Sequence, residues 1–459
     1  MQIETILPFD ISNKYRFVES LVYKSMEKAV IFEKNGHLLI TSKKNVEELQ
    51  AGKIPHNIED ILKSRRFIID KNEKEKSYNV NIKPEFFMID MTNKCNMRCE
   101  YCLRNTEYDQ DSISYTKLDD IIYFIKSYCK ENGIKNISVQ AWGGEPLLEK
   151  DKILYMVNKL KMKNTKVHFS IETNATLLTN NNILSMYESH VGIGISIDGG
   201  MNIHNKQRKF ISGKDTYDIV INNMQETKNI YNNRIGTITT ITRESAKKIE
   251  SVIDNIVIDL GINNIKMNFV HLSNYRNCND ICLAPKEIAE TELRIFRKII
   301  ELQEMGYSVI EQNMMAKLKN ILFRKYTDVC LSCGCCGGRK MIVFDMHGNI
   351  FPCELTDQSE YAIGNIYNGI PLISQIENSI KGKNSFFDKK ENTECIDCYW
   401  KIFCKGGCTV RVMSNKNNKD VDITECEINK VLYPELIKLI IDKPEIVNKM
   451  LGWDGLYGV

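Results

Sequence analysis

Cysteine is the residue type best suited to chemistry in this chain, with 16 copies among 459 residues. Three of them, Cys95, Cys99 and Cys102, lie within eight residues in the spacing C-x3-C-x2-C, directly after the apolar run FFMIDM (86–91). Thiolates this close together can bind one metal centre. Iron–sulfur clusters are normally held by four cysteines, so three ligands would leave one coordination site for another molecule. The alternative is a zinc site with a distant fourth ligand, although zinc cysteines usually come in C-x2-4-C pairs.

A second group of cysteines lies near the C-terminus. Its core follows the spacing C-x2-C-x5-C-x3-C, with one further cysteine downstream: Cys395, Cys398, Cys404, Cys408 and Cys426. Four more cysteines precede a predicted hairpin, KMIVFDMHGNIFPC, which ends at Cys353: Cys330, Cys333, Cys335 and Cys336. These cysteines are also expected to bind metal, and a zinc ribbon is the alternative.

Polar residues and glycines follow further strand-like segments. The segment ISVQAW leads into Gly143, Gly144 and Glu145, where a flexible backbone beside a carboxylate suits an ammonium group. Other polar residues end or follow the segments KVHFSI and VGIGISI: Asn174, Ser196, Asp198 and Arg208. Because strand side chains alternate, Ser196 and Asp198 point to the same face, where they can hydrogen-bond a ribose or a carboxylate. Each polar residue taken alone is equally well explained as a strand-end cap or a turn residue.

The elements that must position these residues alternate between strands and helices. Six strand-like segments recur between residues 86 and 272, separated by amphipathic patterns such as residues 116–130. Six β–α repeats imply parallel strands with crossover helices, in either a barrel or an open doubly wound sheet. Both folds place their chemistry at the carboxyl ends of the strands, where the first cysteines and the polar residues lie.

The cysteine triplet, with Tyr101 before its last member, resembles the signature of the radical S-adenosylmethionine (SAM) enzymes. The stretches GGEP (143–146), ETNAT (172–176) and SIDG (196–199) resemble further motifs of that family, with Ala175 where glycine is common. The resemblance implies a [4Fe–4S] cluster on the triplet with SAM on its fourth iron, and a 5′-deoxyadenosyl radical that abstracts a hydrogen atom from the substrate. It also implies a set of residues around SAM: Tyr101, Gly143, Gly144, Glu145, Asn174, Ser196, Asp198 and Arg208.

The second group of cysteines resembles the SPASM extension of the same family, which holds two auxiliary [4Fe–4S] clusters. Carried over position by position, the outer cluster takes Cys395, Cys398, Cys404 and Cys426. The inner cluster takes Cys335, Cys353 and Cys408 with one of Cys330, Cys333 and Cys336. The resemblance therefore implies three [4Fe–4S] clusters besides SAM. An acidic residue directly after the equivalent of Cys353 looks like the catalytic base of SPASM sulfatase-maturing enzymes, and Glu354 holds that place here; a surface acid after a hairpin is the alternative.

The expected fold class is α/β, a partial (β/α)6 TIM-like barrel with an N-terminal α+β module and a C-terminal cysteine-rich SPASM domain. The module covers 1–84 and includes a hairpin over 29–41 that turns at Asn35-Gly36. The remaining divisions are the barrel at 85–284, a helical linker at 285–329, the SPASM domain at 330–435 and a helical tail at 436–459. Cys129 is expected in the core, on the apolar face of a helix. Cys278 and Cys282 form a C-x3-C pair on a loop after the last barrel strand, where they are either incidental or line the mouth of the substrate site.

Composition narrows the classes of function. The chain is 43% hydrophobic with a net charge of +3, so it can fold around a core and has no charge excess that would indicate nucleic-acid binding. No run reaches the roughly 18 apolar residues that a membrane span needs. The first residues, MQIETILPFD, include acidic side chains where a secretory signal would be basic. We therefore expect a cytoplasmic protein with no nucleic-acid or membrane partner.

The resemblance favours a peptide maturase that oxidatively forms a thioether or carbon–carbon crosslink. The N-terminal module weakly resembles leader-binding modules, and its hairpin edge can receive a leader peptide as an added strand. The expected partners are a precursor peptide or protein substrate and a reducing protein such as flavodoxin or ferredoxin. The nearest alternative is an anaerobic sulfatase-maturating enzyme that converts Cys or Ser to formylglycine. An alternative from another class is a zinc-binding scaffold or an RNA-binding protein.

Overall fold

The structure is a computed structural model and describes most of the chain. The described residues are 4–25, 28–33, 36–72, 81–104, 110–271, 280–323, 330, 334–356, 359–382, 384, 386–387, 395–414 and 421–452. A ten-stranded sheet passes through the centre of the molecule, and two smaller sheets form the N-terminal part. None of the helices in the described ranges combines the length and apolar character needed to cross a bilayer.

The N-terminal part combines short antiparallel strands with two helices. Its elements are β1 Glu4–Ile6, β2 Phe9–Asp10, β3 Tyr15–Phe17, β4 Ser20–Lys24, β5 Lys28–Glu33, β6 Leu38–Ser42, α1 Lys43–Gln50, a 3-10 turn His56–Ile58, α2 Glu59–Ser64 and β7 Ile68–Asp70. The strands form the sheets β1-β4-β5-β6 and β2-β3-β7. The predicted hairpin is confirmed, since β5 and β6 pair antiparallel with Phe32 opposite Leu38. Asn35, in the predicted turn, lies outside the described residues.

The central sheet confirms the six predicted strands and their parallel pairing. Its elements are β8 Phe86–Thr92, β9 Met97–Cys99, α3 Tyr115–Glu131, β10 Asn136–Gly143, a 3-10 turn Pro146–Glu149, α4 Lys150–Lys159, β11 Lys166–Thr173, α5 Asn180–Glu188, β12 Val191–Ser196, α6 Met201–Gln207, β13 Arg208–Phe210, α7 Tyr217–Ile230, β14 Gly236–Ile241, α8 Arg243–Lys247, α9 Ile249–Asp254, a π-helical turn Asn255–Asp259 and β15 Asn264–Phe269. The parallel order is β8-β10-β11-β12-β14-β15, and no closed barrel forms among the described strands. Alternate side chains such as Ile89, Ala141 and Ile171 are buried in the main core.

The C-terminal part extends the same sheet at both ends. Its elements are α10 Pro285–Glu304, β16 Ile310–Glu311, α11 Gln312–Phe323, β17 Met341–Phe344, β18 Asn349–Phe351, a 3-10 turn Ser359–Tyr361, β19 Gly364–Asn365, α12 Leu372–Lys381, α13 Lys401–Cys404, α14 Thr409–Ser414, α15 Ile423–Asp442 and α16 Pro444–Leu451. The predicted hairpin is confirmed as β17 and β18. The sequence did not predict that β17 pairs in parallel with β8, with Met341 opposite Phe86.

The N-terminal part packs against the cysteine-rich part through aromatic side chains. The Phe32 ring lies 5.3 Å from the Trp400 ring and 5.9 Å from the Phe403 ring. Trp400 and Phe403 each stack on Tyr433 at 5.1 Å. Since Phe32 is only 1% exposed, this contact is a buried interface between the two parts of the chain.

Candidate active site

The carboxyl end of β8 leads into the loop that carries the first cysteine triplet. Cys99 ends β9, which pairs antiparallel with β13 so that Cys99 lies opposite Arg208. Burial raises the pKa of the Cys95 thiol to about 11 and that of Cys99 to about 12, and the charge of Cys102 contributes to both increases. The three thiols therefore lie close enough to affect one another's ionisation. A positively charged iron centre would bind such a group as thiolates, so the triplet fits the predicted cluster.

Gly143 and Gly144 allow the end of β10 to pass against this cysteine loop. A Cβ atom at Gly143 would lie 2.3 Å from the Thr92 carbonyl oxygen, and one at Gly144 would lie 2.3 Å from the Lys94 carbonyl oxygen. The amides of Gly144 and Glu145 donate to these two carbonyls at 2.8 Å. The glycines thus serve close backbone packing, which the sequence did not predict; their part in binding SAM stays a prediction.

The Glu145 carboxylate joins the end of β10 to the end of β11. Its Oε1 accepts hydrogen bonds from Thr173 Oγ1 at 2.7 Å and from Leu147 N at 3.0 Å, and its Oε2 accepts one from Asn174 N at 2.8 Å. Burial raises the pKa of Glu145, although these donors oppose the increase. The Asn174 side chain donates to Asn96, inside the cysteine loop, at 2.9 Å. Two of the predicted site residues are therefore brought together beside the triplet.

Tyr101, Asp198 and Arg208 form a buried polar group next to Cys99. The Tyr101 hydroxyl donates to Asp198 Oδ2 at 2.7 Å and accepts a hydrogen bond from Arg208 Nη1 at 2.6 Å. Arg208 Nε is buried without a hydrogen-bond partner in the described part of the structure. Because buried donors are normally paired, this atom fits an acceptor group of a bound cofactor, such as the carboxylate or ribose of SAM. Ser196, the last residue of β12, lies partly buried near the same strand ends.

His204 supports this group, although the sequence analysis did not select it. Its Nδ1 accepts a hydrogen bond from Asp198 N at 3.5 Å, and its Nε2 lies 3.1 Å from Thr216 Oγ1. The Thr216 hydroxyl donates to the Arg208 carbonyl at 2.7 Å, so it accepts from His204 Nε2. Burial, assisted by the Arg208 charge, lowers the pKa of His204 to about 3. His204 is therefore a neutral ring with its proton on Nε2.

The cysteines predicted for the inner auxiliary cluster lie within electrostatic reach of one another. Burial raises the pKa of Cys353 far above its usual value, and the charges of Glu354, Cys330 and Cys335 add to the increase. Burial also raises the pKa of Cys408 to about 11, again with a contribution from the charge of Cys335. Four thiols, those of Cys330, Cys335, Cys353 and Cys408, thus form a group suited to one cluster.

The other two candidates for the fourth inner ligand have different surroundings. Cys336 is fully buried, with its Sγ 3.7 Å from the Gly334 carbonyl oxygen. Cys333 lies outside the described residues. Cys330 is the candidate whose charge contributes to the raised pKa of Cys353.

The cysteines predicted for the outer auxiliary cluster come from three adjacent segments. The Cys398 amide donates to the Cys395 carbonyl at 3.3 Å, Cys404 ends α13, and Cys426 lies in the first turn of α15. Burial raises the pKa of Cys426, and the Cys398 charge contributes, so these two thiols are neighbours. In the described ranges, no three Cys, His, Asp or Glu side chains converge tightly enough to hold a single metal ion. Cluster cysteines bind separate irons and so lie farther apart than ligands sharing one ion.

Polar and charged residues that the sequence analysis did not select also lie on the inner face of the sheet. The strand registers place Gln140, Glu172 and Lys266 on the inward face. A Cβ atom at Gly194 would lie 3.5 Å from Glu172 Cγ, which confirms that Glu172 faces inward beside this glycine. Charged residues within apolar strands were the sequence signal for this surface. Trp142 lies on the same face, and its indole N–H is buried without a partner among the described residues.

Glu354 lies between this inward surface and the inner group of cysteines. Its Oε2 accepts a hydrogen bond from the Cys353 thiol at 3.1 Å. Burial raises the pKa of Glu172, the Lys266 charge opposes the increase, and the Glu354 charge reinforces it. Glu354, which is half-buried, is therefore within electrostatic range of Glu172, and its role as a base stays a prediction.

The remaining cysteines of the chain are Cys129, Cys278 and Cys282. Cys129 is 1% exposed, which confirms its predicted place in the core. Cys282 is buried, and its carbonyl accepts a hydrogen bond from Arg243 Nη2 at 2.5 Å. Cys278 lies outside the described residues.

The chain is similar to known proteins of the radical SAM superfamily. Residues 89–256 match the radical SAM superfamily. The chain is 24% identical over 348 residues to the cysteine-type anaerobic sulfatase-maturating enzyme of Clostridium perfringens, an alignment that covers 72% of this chain and 89% of the enzyme. It is 26% identical over 369 residues to the radical SAM cyclopropyl synthase TigE of Paramaledivibacter caminithermalis, covering 76% of this chain and 73% of TigE.

Two solved structures share the fold. Native anSMEcpe with bound AdoMet and Cp18Cys peptide matches with a TM-score of 0.66 and 22% identity, over 78% of this chain and 99% of its own. Streptococcus suis SuiB bound to the precursor peptide SuiA matches with a TM-score of 0.55 and 14% identity, over 89% of this chain and 98% of its own. Identities this low make both of them evidence of a shared fold.

Proposed function

We propose that this chain oxidatively crosslinks a ribosomally made peptide. Its residues 89–256 match the radical SAM superfamily, so the chain is a radical SAM enzyme. The bond formed is a thioether or a carbon–carbon bond. The proposal rests on the packing of the N-terminal module against the cysteine-rich part. Phe32 of the module contacts Trp400 and Phe403, which are close in sequence to the proposed outer-cluster cysteines. The fold shared with SuiB, which was solved with a precursor peptide, extends over 89% of this chain, against 78% for anSMEcpe.

The module has a sheet edge suited to a leader peptide. In the sheet β1-β4-β5-β6, the edge strand β6 is five residues long, and β1 is three. Leu38, Leu39 and Ile40 of β6 are each partly exposed. A peptide added to this edge would gain main-chain hydrogen bonds and apolar side-chain contacts. We therefore assign leader binding to β6.

The cofactors follow from the groups of thiols. We assign the SAM cluster to Cys95, Cys99 and Cys102, the inner auxiliary cluster to Cys330, Cys335, Cys353 and Cys408, and the outer one to Cys395, Cys398, Cys404 and Cys426. When bound, SAM with its cluster would supply a 5′-deoxyadenosyl radical that abstracts a hydrogen atom. The auxiliary clusters would supply acceptors for one electron. A flavodoxin or ferredoxin is the proposed reducing partner, and the cytoplasm is the proposed location.

We assign proton transfer and substrate binding to polar residues near the inner face of the sheet. A crosslink removes two hydrogen atoms from the peptide, the first as the abstracted atom and the second as a proton and an electron. Glu354 accepts this proton, because its carboxylate lies beside Cys353 and its charge acts on Glu172. Glu172 and Lys266 bind polar groups of the substrate next to it.

A second candidate is an anaerobic sulfatase-maturating enzyme. It is favoured by three sulfatase-maturating relatives that are matched over 89%, 85% and 96% of their own lengths. This enzyme would take two hydrogens from a cysteine side chain and exchange its sulfur for the oxygen of water, giving formylglycine and sulfide. The zinc-binding scaffold is not proposed, because the chain is an enzyme.

The deciding experiment offers both kinds of substrate to the reconstituted full-length protein with SAM and a strong reductant. One substrate is a cysteine-containing peptide encoded by a neighbouring reading frame, with and without its leader, and the other is a sulfatase-type peptide with a central cysteine. We expect mass spectrometry to show loss of two hydrogens without an aldehyde, only in the leader-bearing peptide. An aldehyde in the sulfatase-type peptide, with no crosslink in the other, would establish the second candidate instead.

A further inference from the structure

Arg104 and Trp142 meet at the carboxyl ends of β8 and β10, and the proposed chemistry uses neither of them. Arg104 comes two residues after the cysteine triplet, and its Nη2 donates to Asp90 Oδ1 at 2.6 Å. Its Nη1 donates to Asn93 Oδ1 at 3.0 Å. The guanidinium carbon lies 5.8 Å from the centre of the Trp142 ring. Two hydrogen bonds and one aromatic ring therefore hold the Arg104 side chain in a single orientation.

Asp90 and Trp142 lie on the inward face of the sheet. They are opposite each other in the register of β8 with β10. Ile89 and Met91, the neighbours of Asp90 along β8, are buried in the main core, so alternation turns Asp90 to the other face. Trp142 and Cys353 pack against the same small cluster of apolar side chains. Arg104 and Trp142 therefore belong to the face proposed to bind the substrate, on the side of Cys353.

Both side chains have hydrogen-bond donors without acceptors. A guanidinium carries five N–H groups, and three of those on Arg104 make no hydrogen bond to the described residues. The indole N–H of Trp142 is buried and likewise has no acceptor in the described part of the chain. Because buried donors are normally paired, these two side chains call for an acceptor from another molecule.

The charges around these donors favour a neutral acceptor. The Asp90 carboxylate balances the Arg104 charge, and the two side chains are 11% and 18% exposed. Of the other charged residues on or near the inward face, Lys266 is cationic, whereas Glu172 and Glu354 are anionic. A substrate carboxylate would add one more negative charge here, and a main-chain carbonyl adds none. A peptide carbonyl therefore fits these donors better than an acidic group does.

We propose that Arg104 and Trp142 bind main-chain carbonyl groups of the substrate peptide and so position the residue that is oxidised. Asp90 and Asn93 are positioning residues, because they act on the substrate only through Arg104. This inference rests on the proposed function in one respect, since it takes a peptide as the substrate. It applies equally to the crosslinking enzyme and to the sulfatase-maturating alternative, because both act on peptides.

The experiment measures peptide binding to the reconstituted full-length protein by calorimetry, with SAM present and no reductant. The probe is whichever of the two test peptides described above the wild type oxidises. Trp142→Phe removes the N–H and keeps a ring beside Arg104, and Arg104→Lys keeps the charge but loses the planar fork of donors. We expect each variant to raise the Kd of the peptide about tenfold. Iron content and SAM affinity should stay at wild-type levels.

Arg294→Gln is the matched control for the loss of an arginine. Arg294 pairs with Glu250 at 2.5 Å on the outer helices, so this variant should bind the peptide as the wild type does.

Peptides with an ester in place of one amide test the carbonyl directly, since an ester carbonyl is the weaker acceptor. We expect an ester at one position to weaken binding to the wild type and to Arg294→Gln. The same ester should have a smaller effect on Trp142→Phe, because the N–H that the carbonyl would meet is gone. This comparison is a double-mutant cycle between protein and peptide, and a purely structural role of Trp142 would not change it.

Each outcome decides the inference. Weaker binding by both variants, with reduced sensitivity of Trp142→Phe to one ester, supports it. Wild-type affinity in either variant, or equal ester effects on Trp142→Phe and the wild type, overturns it alone. If Arg104→Lys loses iron, the result for Trp142→Phe at full iron content decides. A wild-type protein that cleaves SAM but neither binds nor oxidises either peptide would overturn the proposed function and this inference together.

Discussion

Some residues of the candidate site belong to a sequence motif, and others do not. Tyr101, Asp198 and Arg208 belong to recognisable stretches, and the structure joins them by hydrogen bonds of 2.7 and 2.6 Å. His204 belongs to no motif, yet it accepts the Asp198 amide. A supporting residue such as His204 needs only the right shape and one hydrogen-bond acceptor. Several residue types meet these needs, so such a position leaves no motif in the sequence.

Glu354 is the residue whose replacement tests the proton transfer most directly. We expect Glu354→Gln to lower the rate of peptide oxidation about 10²–10⁴-fold, since an amide cannot take a proton. Iron content and the binding of SAM should stay at wild-type levels. Glu360→Gln, at an exposed position, is the control. Full turnover by Glu354→Gln at full iron content would remove the proposed role.

His204 predicts a specific dependence of stability on pH. Its pKa is about 3 in the folded protein against an ordinary 6.5, so the neutral ring stabilises the fold fully above pH 6.5. The contribution of His204 to the free energy of unfolding falls as the pH drops towards 3, because the unfolded chain binds a proton at this residue and the folded chain does not. The loss reaches about 2 kcal/mol at pH 5.

His204→Gln should remove this loss while keeping an acceptor for the Asp198 amide. We expect the free energy of unfolding in urea to fall about 2 kcal/mol less between pH 7 and pH 5 than in the wild type. His56→Gln, at an exposed position, should behave like the wild type. If wild type and His204→Gln lost equal stability, the buried neutral ring would be the wrong explanation.

At the scale of elements, the site depends on how closely neighbouring strand ends pack. The end of β10 donates two hydrogen bonds to the cysteine loop after β8, and only residues without a side chain fit there. The identity of Gly143 and Gly144 thus follows from the approach of two backbones. The strand ends and the cysteine loop form one unit that positions the thiols.

Gly144→Ala tests this unit, because its Cβ would lie 2.3 Å from the Lys94 carbonyl oxygen. If the protein holds the three [4Fe–4S] clusters proposed above, the reconstituted variant should lose about a third of its iron, the share of one cluster. Gly200→Ala is the matched control, since the nearest atom to its Cβ would be 3.9 Å away. Iron and sulfide analysis gives the result, and full iron in Gly144→Ala would contradict a packing role for this glycine.

The sequence predicted most elements but only part of their arrangement. Alternation of apolar residues identified all six parallel strands, because each strand buries alternate side chains against helices. The two-residue strand β16 was missed, since so short a segment has no periodicity. The parallel pairing of β17 with β8 was missed as well, because pairing between distant segments leaves no local signal. Lys266 could not be selected for the same reason, since Glu172, on which its charge acts, is distant in sequence.

At the scale of the whole molecule, the N-terminal and cysteine-rich parts share an aromatic interface. Phe32 contacts Trp400 and Phe403, which in turn stack on Tyr433 of α15. The same Tyr433 ring lies 5.3 Å from Lys317 Nζ on α11. The N-terminal module is therefore packed, through these rings, against the helix α15 that carries Cys426.

Phe32→Ala should weaken this connection. Truncating a fully buried phenylalanine costs about 3–5 kcal/mol, so we expect trypsin to release an N-terminal fragment faster and the affinity for a leader peptide to fall. Leu7→Ala, at a side chain that is 72% exposed, should leave both unchanged. Equal proteolysis rates in Phe32→Ala and the wild type would show that the interface does not hold the module.

The pairing of β17 with β8 has a consequence for biosynthesis. Met341 lies opposite Phe86, so one neighbour of the first barrel strand is translated more than 250 residues after it. At about 5–20 residues per second, the ribosome needs roughly 13–50 s to deliver it. During that interval the nascent chain exposes an apolar strand edge, which favours intermolecular pairing. Fragments that end before residue 341 should therefore precipitate on expression unless a chaperone shields them.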